Sequence, residues 1–250
     1  MKKSILSAIA LLAIMAFSAC ENQNGNTPKP EEDASGFCLV TDSVPDVILE
    51  IRYFSTFNFI GKRIDGYEQP IAIITKEAAS ALKKVNDEAK KMGYCLKVFD
   101  AYRPQCAVDM FMRWAADVND TLMKPQFYPD LTKERLIPEE YIMEKSGHTR
   151  GSTIDLTLFD LKTQHDVDMG ATFDFFGELS HPDYPIGGKP GMASITEEQY
   201  QTRQMLRKVM LDNGFKPLES EWWHFTLKDE PYPDTYFTFT LNENNLKKNQ

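Results

Sequence analysis

Four runs with strand patterning are spread unevenly along the chain: VILEIRY (47–53), YCLKVFD (94–100), STIDLTLFD (152–160) and EWWHFTL (221–227). That spacing constrains the fold more than any other feature. Alternating, β-branched and aromatic-rich runs read as strands, and what lies between them is not one repeating unit. KEAASALKKVNDEAKKM (76–92) sets Ala78, Ala81, Leu82, Val85 and Ala89 on one helical face, with Thr75 as N-cap and Gly93 at the end. Pro104 opens a second helix to about Ala116, in the favoured first-turn position. Thr196-Glu197-Glu198-Gln199 is a capping box for a third helix that runs to Gly214. Residues 117–137 read as loop. Strands and helices are mixed, connections are long, and there is no GxGxxG, P-loop or internal repeat. The expectation is an α+β fold, one domain with a central, mainly antiparallel sheet flanked by helices.

The N-terminus lies outside that fold. MKKSILSAIALLAIMAFSAC has a two-lysine start, an apolar run from Ile5 to Phe17, and Ser18-Ala19-Cys20. This is the three-part pattern of a secretory signal, 1–19, and the apolar run is short against the roughly 20 residues of a membrane span. Small residues before a cysteine resemble a bacterial lipobox, although Phe17 stands where Leu is usual. The pattern implies cleavage before Cys20 and lipid on it; an ordinary signal peptide with a chance cysteine is the alternative. Residues 20–36 are polar, with Pro and Gly, and read as a tether whose acidic residues 31–33 are solvated. The folded domain is then 37–245. The expected address is an exported lipoprotein on the periplasmic face of a bacterial membrane, held there by its lipid anchor alone.

The formal net charge of −9 becomes −11 once Lys2 and Lys3 leave with the signal. A chain that acidic has no electrostatic footprint for nucleic acid. Beyond Cys20 it holds Cys38, Cys95 and Cys106. One disulfide, Cys95–Cys106 or Cys38 with either, stands beside the reading of three buried thiols.

The chemistry concentrates in SGHTRGSTID (146–155). His148 and Asp155, joined through a glycine-containing bend, are two ligands in search of a third. Of the other histidines, His165 sits in a turn-like TQHDVD and His181 heads a Pro- and Gly-rich loop. His224 lies in an apolar aromatic run, where a polar side chain needs a partner. Alone it reads rather as a core histidine bonded to a backbone carbonyl. Together, His148, Asp155 and His224 suit zinc with one open position. Glu221, three residues before His224, is the candidate general base for a water made more acidic by the metal. Residues three apart on a regular strand face opposite sides, so Glu221 must sit at a turn or bulge. Arg103 in DAYRP can supply positive charge for a developing oxyanion, or else be a surface arginine paired with Asp100.

These residues also resemble a known family. SGHTRGSTIDLTL is similar to the SxHxxGxAxD signature of the zinc D,D-peptidases related to Hedgehog domains, and EWWHF to their second signature. DAYRP resembles the arginine segment of the D-alanyl-D-alanine dipeptidases of the vancomycin-resistance type. IRYFSTFNFIGKRIDGY, RWAAD, MGATFDFF and KDEPYPDTYF extend the likeness in order over roughly 40–238. The resemblance implies a Hedgehog/D,D-peptidase-like fold and one Zn²⁺ held by His148, Asp155 and His224. It implies Glu221 as base and Arg103 as the group polarising the scissile carbonyl. Ser146, Tyr53 and Asp174 fall at substrate-recognition positions, Asp174 holding a free ammonium. Their plainer readings are a turn residue, a core aromatic and a helix cap. The implied activity is hydrolysis of D-Ala-D-Ala to D-alanine. The alternatives are a D,D- or L,D-carboxypeptidase on peptidoglycan stems, or a non-catalytic zinc module binding wall peptides. Three departures stand out. Thr153 replaces the signature's Ala. Residues 180–193 look expanded, like a lid. And an exported form acts on wall-turnover peptides, where resistance-type dipeptidases act inside the cell.

Overall fold

A computed structural model describes residues 32–247; the signal pattern and Cys20 lie outside the described residues. In chain order the elements are β1 (Phe37–Leu39), α1 (Val40–Ser43), β2 (Ile48–Leu49), β3 (Ile73–Thr75), α2 (Lys76–Lys91), β4 (Tyr94–Asp100), α3 (Gln105–Ala116), α4 (Lys124–Phe127) and α5 (Lys133–Leu136). Then come β5 (Thr153–Asp160), β6 (His165–Asp166), α6 (Glu197–Asp212), β7 (Phe215–Leu218), β8 (Glu221–Leu227) and α7 (Asn244–Lys247). β1 pairs with β3 in a small antiparallel sheet. The larger sheet runs β2-β4-β5-β8-β7, with β6 folded back on the end of β5. Only the β2–β4 contact is parallel.

Alternation along β5 explains how this sheet carries both a core and a site. Ile154, Leu156 and Leu158 share one face; Thr153, Asp155 and Thr157 share the other, and all six are buried. α2 packs on β4, and α6 packs on β7 and β8. α3 contributes Phe111 and Trp114 to an aromatic cluster with Tyr53, Phe59 and Phe176. Phe99, Phe173 and Trp223 continue it.

Several expectations change. The 47–53 run forms a strand only at Ile48–Leu49, although Glu50 N–H and Arg52 N–H still donate to the Val98 and Phe99 carbonyls before the chain turns. Pro104 is the N-cap of α3, one residue ahead of the helix. The 117–137 stretch contains the one-turn helices α4 and α5. Thr75 does occupy the N-cap of α2, yet its hydroxyl makes no cap bond and meets Ser152 Oγ at 2.7 Å. The capping box of α6 forms in both directions, Gln199 N–H to Thr196 Oγ1 and Thr196 N–H to Gln199 Oε1.

The expected tether to residue 36 is too long, and the acidic run is not wholly solvated. Glu32 accepts from Thr238 N–H (2.6 Å), Thr238 Oγ1–H (2.9 Å) and Phe239 N–H (3.0 Å), and Ala34 is buried. A carboxylate binding free backbone donors can hold a chain that has little apolar surface to bury. Cys38, Cys95 and Cys106 are all unpaired; Cys95 is buried and the other two are half-buried, so neither the disulfide nor the three-buried-thiol expectation describes them fully.

Candidate metal centre and active site

Three adjacent strands bring the site together. Asp155 on β5 pairs directly with Asp100 on β4 and His224 on β8. A one-residue slip at Phe99 brings Asp100 into line with Asp155. On the other side, Pro217 pairs with Phe225 but Leu218 pairs with Glu221, so residues 222–224 bulge out of the β7–β8 hairpin. A bulge re-aims side chains, and here it sets the Glu221 carboxylate 3.3 Å from His224 Nδ1. The required break in strand regularity is thus present.

His148 arrives from a 3-10 turn, Gly147–Arg150. Ser146 Oγ accepts from His148 N–H at 3.2 Å, so the turn-residue reading of Ser146 holds, while the side chain also lines the site cavity. Gly151 closes the turn at φ +85°, and a Cβ there would lie 2.2 Å from Phe37 Cε1. Such a backbone favours glycine. His148 Nδ1–H donates to the Ala101 carbonyl at 2.7 Å. A carbonyl only accepts, so this bond assigns the tautomer and leaves the Nε2 lone pair facing inward.

That lone pair lies 3.2 Å from Asp155 Oδ2 and 3.3 Å from His224 Nδ1, and His224 Nδ1 lies 3.1 Å from Asp155 Oδ1. One donor atom from each of the three residues falls within 4.8 Å of the others, the only such cluster among the described residues. Asp155 Oδ1 is buried and, despite that 3.1 Å approach, has no hydrogen-bond partner in a bonding direction. Converging lone pairs with an orphaned carboxylate oxygen fit a divalent metal ion. Burial by itself would raise the Asp155 pKa, but His148 and His224 outweigh it and hold the carboxyl well below its usual range. Burial by itself would lower the His224 pKa; hydrogen bonding and charge from Asp155 and Glu221 raise it to about 9. Both shifts have one cause: the carboxylates of Asp155 and Glu221 favour positive charge at this point.

Arg103 is buried at the same floor. Its Nε donates to Asp100 Oδ2 at 2.9 Å, and Nη2 lies 2.9 Å from the same oxygen and 3.5 Å from Asp155 Oδ2. The guanidinium stacks over the Tyr53 and Phe111 rings. The expected pairing of Arg103 with Asp100 is present, but the arginine is buried and not at the surface, and it lines the site cavity. Tyr67 O–H donates to Asp100 Oδ1 at 2.6 Å and locks that carboxylate from behind. Tyr67 was not legible as a site residue, because nothing in sequence links it to a partner so far along the chain.

Tyr53 O–H donates to Asp174 Oδ1 at 3.1 Å. Asp174 is 6% exposed, its Oδ2 has no partner, and its backbone sits at φ +62°, so it is no helix cap. Burial and the charge of Asp155 push its pKa well above the usual carboxylate range. A cavity of about 420 Å³ joins these groups, lined by Tyr53, Arg103, Ser146, His148, Asp155, Asp174, Glu221 and His224. Thr153, in place of the signature's Ala, is absorbed by a 2.9 Å hydroxyl contact with its cross-strand neighbour Thr226. His165 is exposed on β6, and His181 lies away from the metal cluster. The 180–193 segment borders a larger neighbouring cavity of about 1040 Å³ that shares Glu221. It is tied down by Arg203 Nη1–H to the His181 carbonyl (2.9 Å) and Tyr184 O–H to the Ala193 carbonyl (2.7 Å).

Comparison with known proteins places this geometry. The profile of the peptidase family described as D-ala-D-ala dipeptidase matches residues 33–242. A D-alanyl-D-alanine dipeptidase of Enterococcus faecalis is 43% identical over 208 residues, 83% of this chain and 99% of that protein. One from Enterococcus faecium is 41% identical over 82% of this chain and 98% of its own length. One from Streptomyces coelicolor is 36% identical over 82% and 98%. With the match running across the metal cluster, the bulged hairpin and the buried arginine, the chain belongs to the D-Ala-D-Ala dipeptidase family of metallopeptidases.

Proposed function

We propose that this protein is a zinc dipeptidase that hydrolyses free D-Ala-D-Ala to D-alanine. The observation that carries the reading is the meeting of His148, Asp155 and His224 with Glu221 and Arg103 around one small cavity. Zinc, bound by the two imidazoles and the carboxylate, would supply Lewis acidity and make water acidic enough to lose a proton near neutral pH. Glu221 would act as the base toward water at the site and as the acid toward the departing amine. Arg103, kept charged by Asp100, stabilises the oxyanion. Asp174, backed by Tyr53, accepts the ammonium of the dipeptide, and Ser146 lines the cavity beside His148. A Hedgehog-like scaffold and zinc as the native metal belong to this proposal, as does an exported, lipidated form acting on wall-turnover peptides. Its support is the leader pattern ending at Cys20. Loss of lipid labelling in Cys20→Ser tests that address.

The cavity of about 1040 Å³ beside Glu221 favours one second reading, a carboxypeptidase on longer wall peptides. A base and a buried arginine at the metal ligands argue against a mere binding module. The test is amine release from D-Ala-D-Ala and from its N-acetylated form, using the zinc-loaded chain from residue 21. Cleavage of the free dipeptide alone is expected. Cleavage of both would move the assignment to a carboxypeptidase, and cleavage of neither would overturn the enzyme reading.

A further inference from the structure

A second cavity, of about 410 Å³, is lined by Phe173, the chain neighbour of Asp174, and by none of the metal-site residues. Its wall includes Arg52 after β2, Thr157 on β5 and Trp222 on β8, together with Phe99 and Phe173. The β5–β8 ladder stops at Asp155 and His224, and Thr157 and Trp222 are the residues two further along each strand. The bulge that brings Glu221 to the metal cluster thus also takes Trp222 out of the ladder.

Four polar atoms on residues of this wall have no hydrogen-bond partner: Arg52 Nε and Nη1, Thr157 Oγ1 and Trp222 Nε1. All three residues are more than nine-tenths buried. A buried polar group without a partner is a standing cost, and three residues lining one cavity carry four such atoms. Two of the three groups can only donate. Arg52 Nε lies 2.5 Å from Glu50 Oε1 but not in a bonding direction, and Nη1 has no acceptor either. The guanidinium is held in place over the Phe57 and Phe99 rings. The two lining carboxylates are already engaged. Asp166 takes Lys97 Nζ through both oxygens, and Asp168 takes Gly170 N–H and Gln199 Nε2–H.

We propose that this cavity is a second binding site, for a small carboxylate whose oxygens would be held by Arg52, Thr157 and Trp222 after slight rotation of the first two side chains. Arg52 supplies a forked, permanently charged donor; Thr157 and Trp222 supply neutral donors beside it. The cavity suits a molecule of amino-acid size. Asp168, another lining residue whose charge remains, would favour an amino acid over a simple carboxylate. The assignment does not depend on the peptidase reading, because none of its residues belongs to the metal site.

The Trp222 indole N–H reports directly. The chain has three tryptophans, so a ¹⁵N-labelled sample gives three indole signals, and Trp222→Phe identifies the one needed. Acetate and glycine are titrated in turn at constant ionic strength, with chloride and glycinamide as controls. Both carboxylates are expected to move the Trp222 signal downfield saturably, and Arg52→Met to weaken that response about ten-fold or more. Glycine binding tighter than acetate would identify an amino-acid ligand; equal binding would identify a simple carboxylate. If Arg52→Met does not fold, Arg52→Lys and Thr157→Val must each weaken the response. No saturable shift, an undiminished shift in those variants, or the same shift with chloride or glycinamide would overturn the site.

Discussion

Asp174→Asn separates the cost of a buried carboxylate from its use. Asp174 is 6% exposed, has one hydrogen bond, from Tyr53, and leaves Oδ2 unpartnered. Its pKa is raised by burial first and by the charge of Asp155 second. The sign follows from linkage. In the unfolded chain the group titrates near about 3.9, so above that pH the folded state holds a proton that the unfolded state has lost. Stability from this group is therefore lost as pH rises from about 4 toward its folded pKa, by up to about 1.4 kcal/mol per pH unit. Asparagine has the same shape, tolerates the positive φ and does not titrate. Metal-free Asp174→Asn should gain on wild type as pH rises from about 5 to about 7, by at most about 2.7 kcal/mol. Urea unfolding at several pH values measures this. In catalysis the same change removes a carboxyl that the arriving ammonium would draw into its ionised form, costing about 2 kcal/mol, or roughly thirty-fold in kcat/KM, mostly through KM. Parallel stability curves for the two proteins would refute the neutral-carboxyl argument. An unchanged KM would refute the ammonium role.

Three further outcomes are expected. Glu221→Ala should keep one zinc per chain by metal analysis yet lose about a hundred-fold or more in kcat; activity within a few-fold of wild type would remove Glu221 as the base. His224→Ala should lose the metal on dialysis, and full occupancy would require a ligand outside the present cluster. Gly151→Ala combines φ +85° with a Cβ 2.2 Å from Phe37 Cε1, and should cost about 2 kcal/mol or more. An unchanged melting temperature would show that Phe37 yields freely.

Elements with a strong local signal are legible in one dimension. β4, β8 and α6 fall where the runs 94–100 and 221–227 and the capping box put them. The short strands β1, β3, β6 and β7 are not, because two to four residues cannot display a period. Their pairing comes from neighbours far along the chain. Thr75 shows the same limit from the other side: its N-cap position is readable, but the tertiary contact with Ser152 takes its hydroxyl. Glu32 reads as part of a solvated run, and only the backbone donors of Thr238 and Phe239 make it part of the fold.

The candidate ligands, base and arginine can be named from the residues alone, because metal and proton chemistry admit few residue types and the chain has only four histidines. What they form together is decided by register. Asp155 stands opposite His224, and the three-residue bulge in β8 puts Glu221 on the side of His224. The state of Arg103 and Asp174 likewise depends on burial and on Asp100, Tyr67 and Tyr53. Sequence determines which groups are present; the low-dielectric distances that set their charges exist only once the strands are aligned.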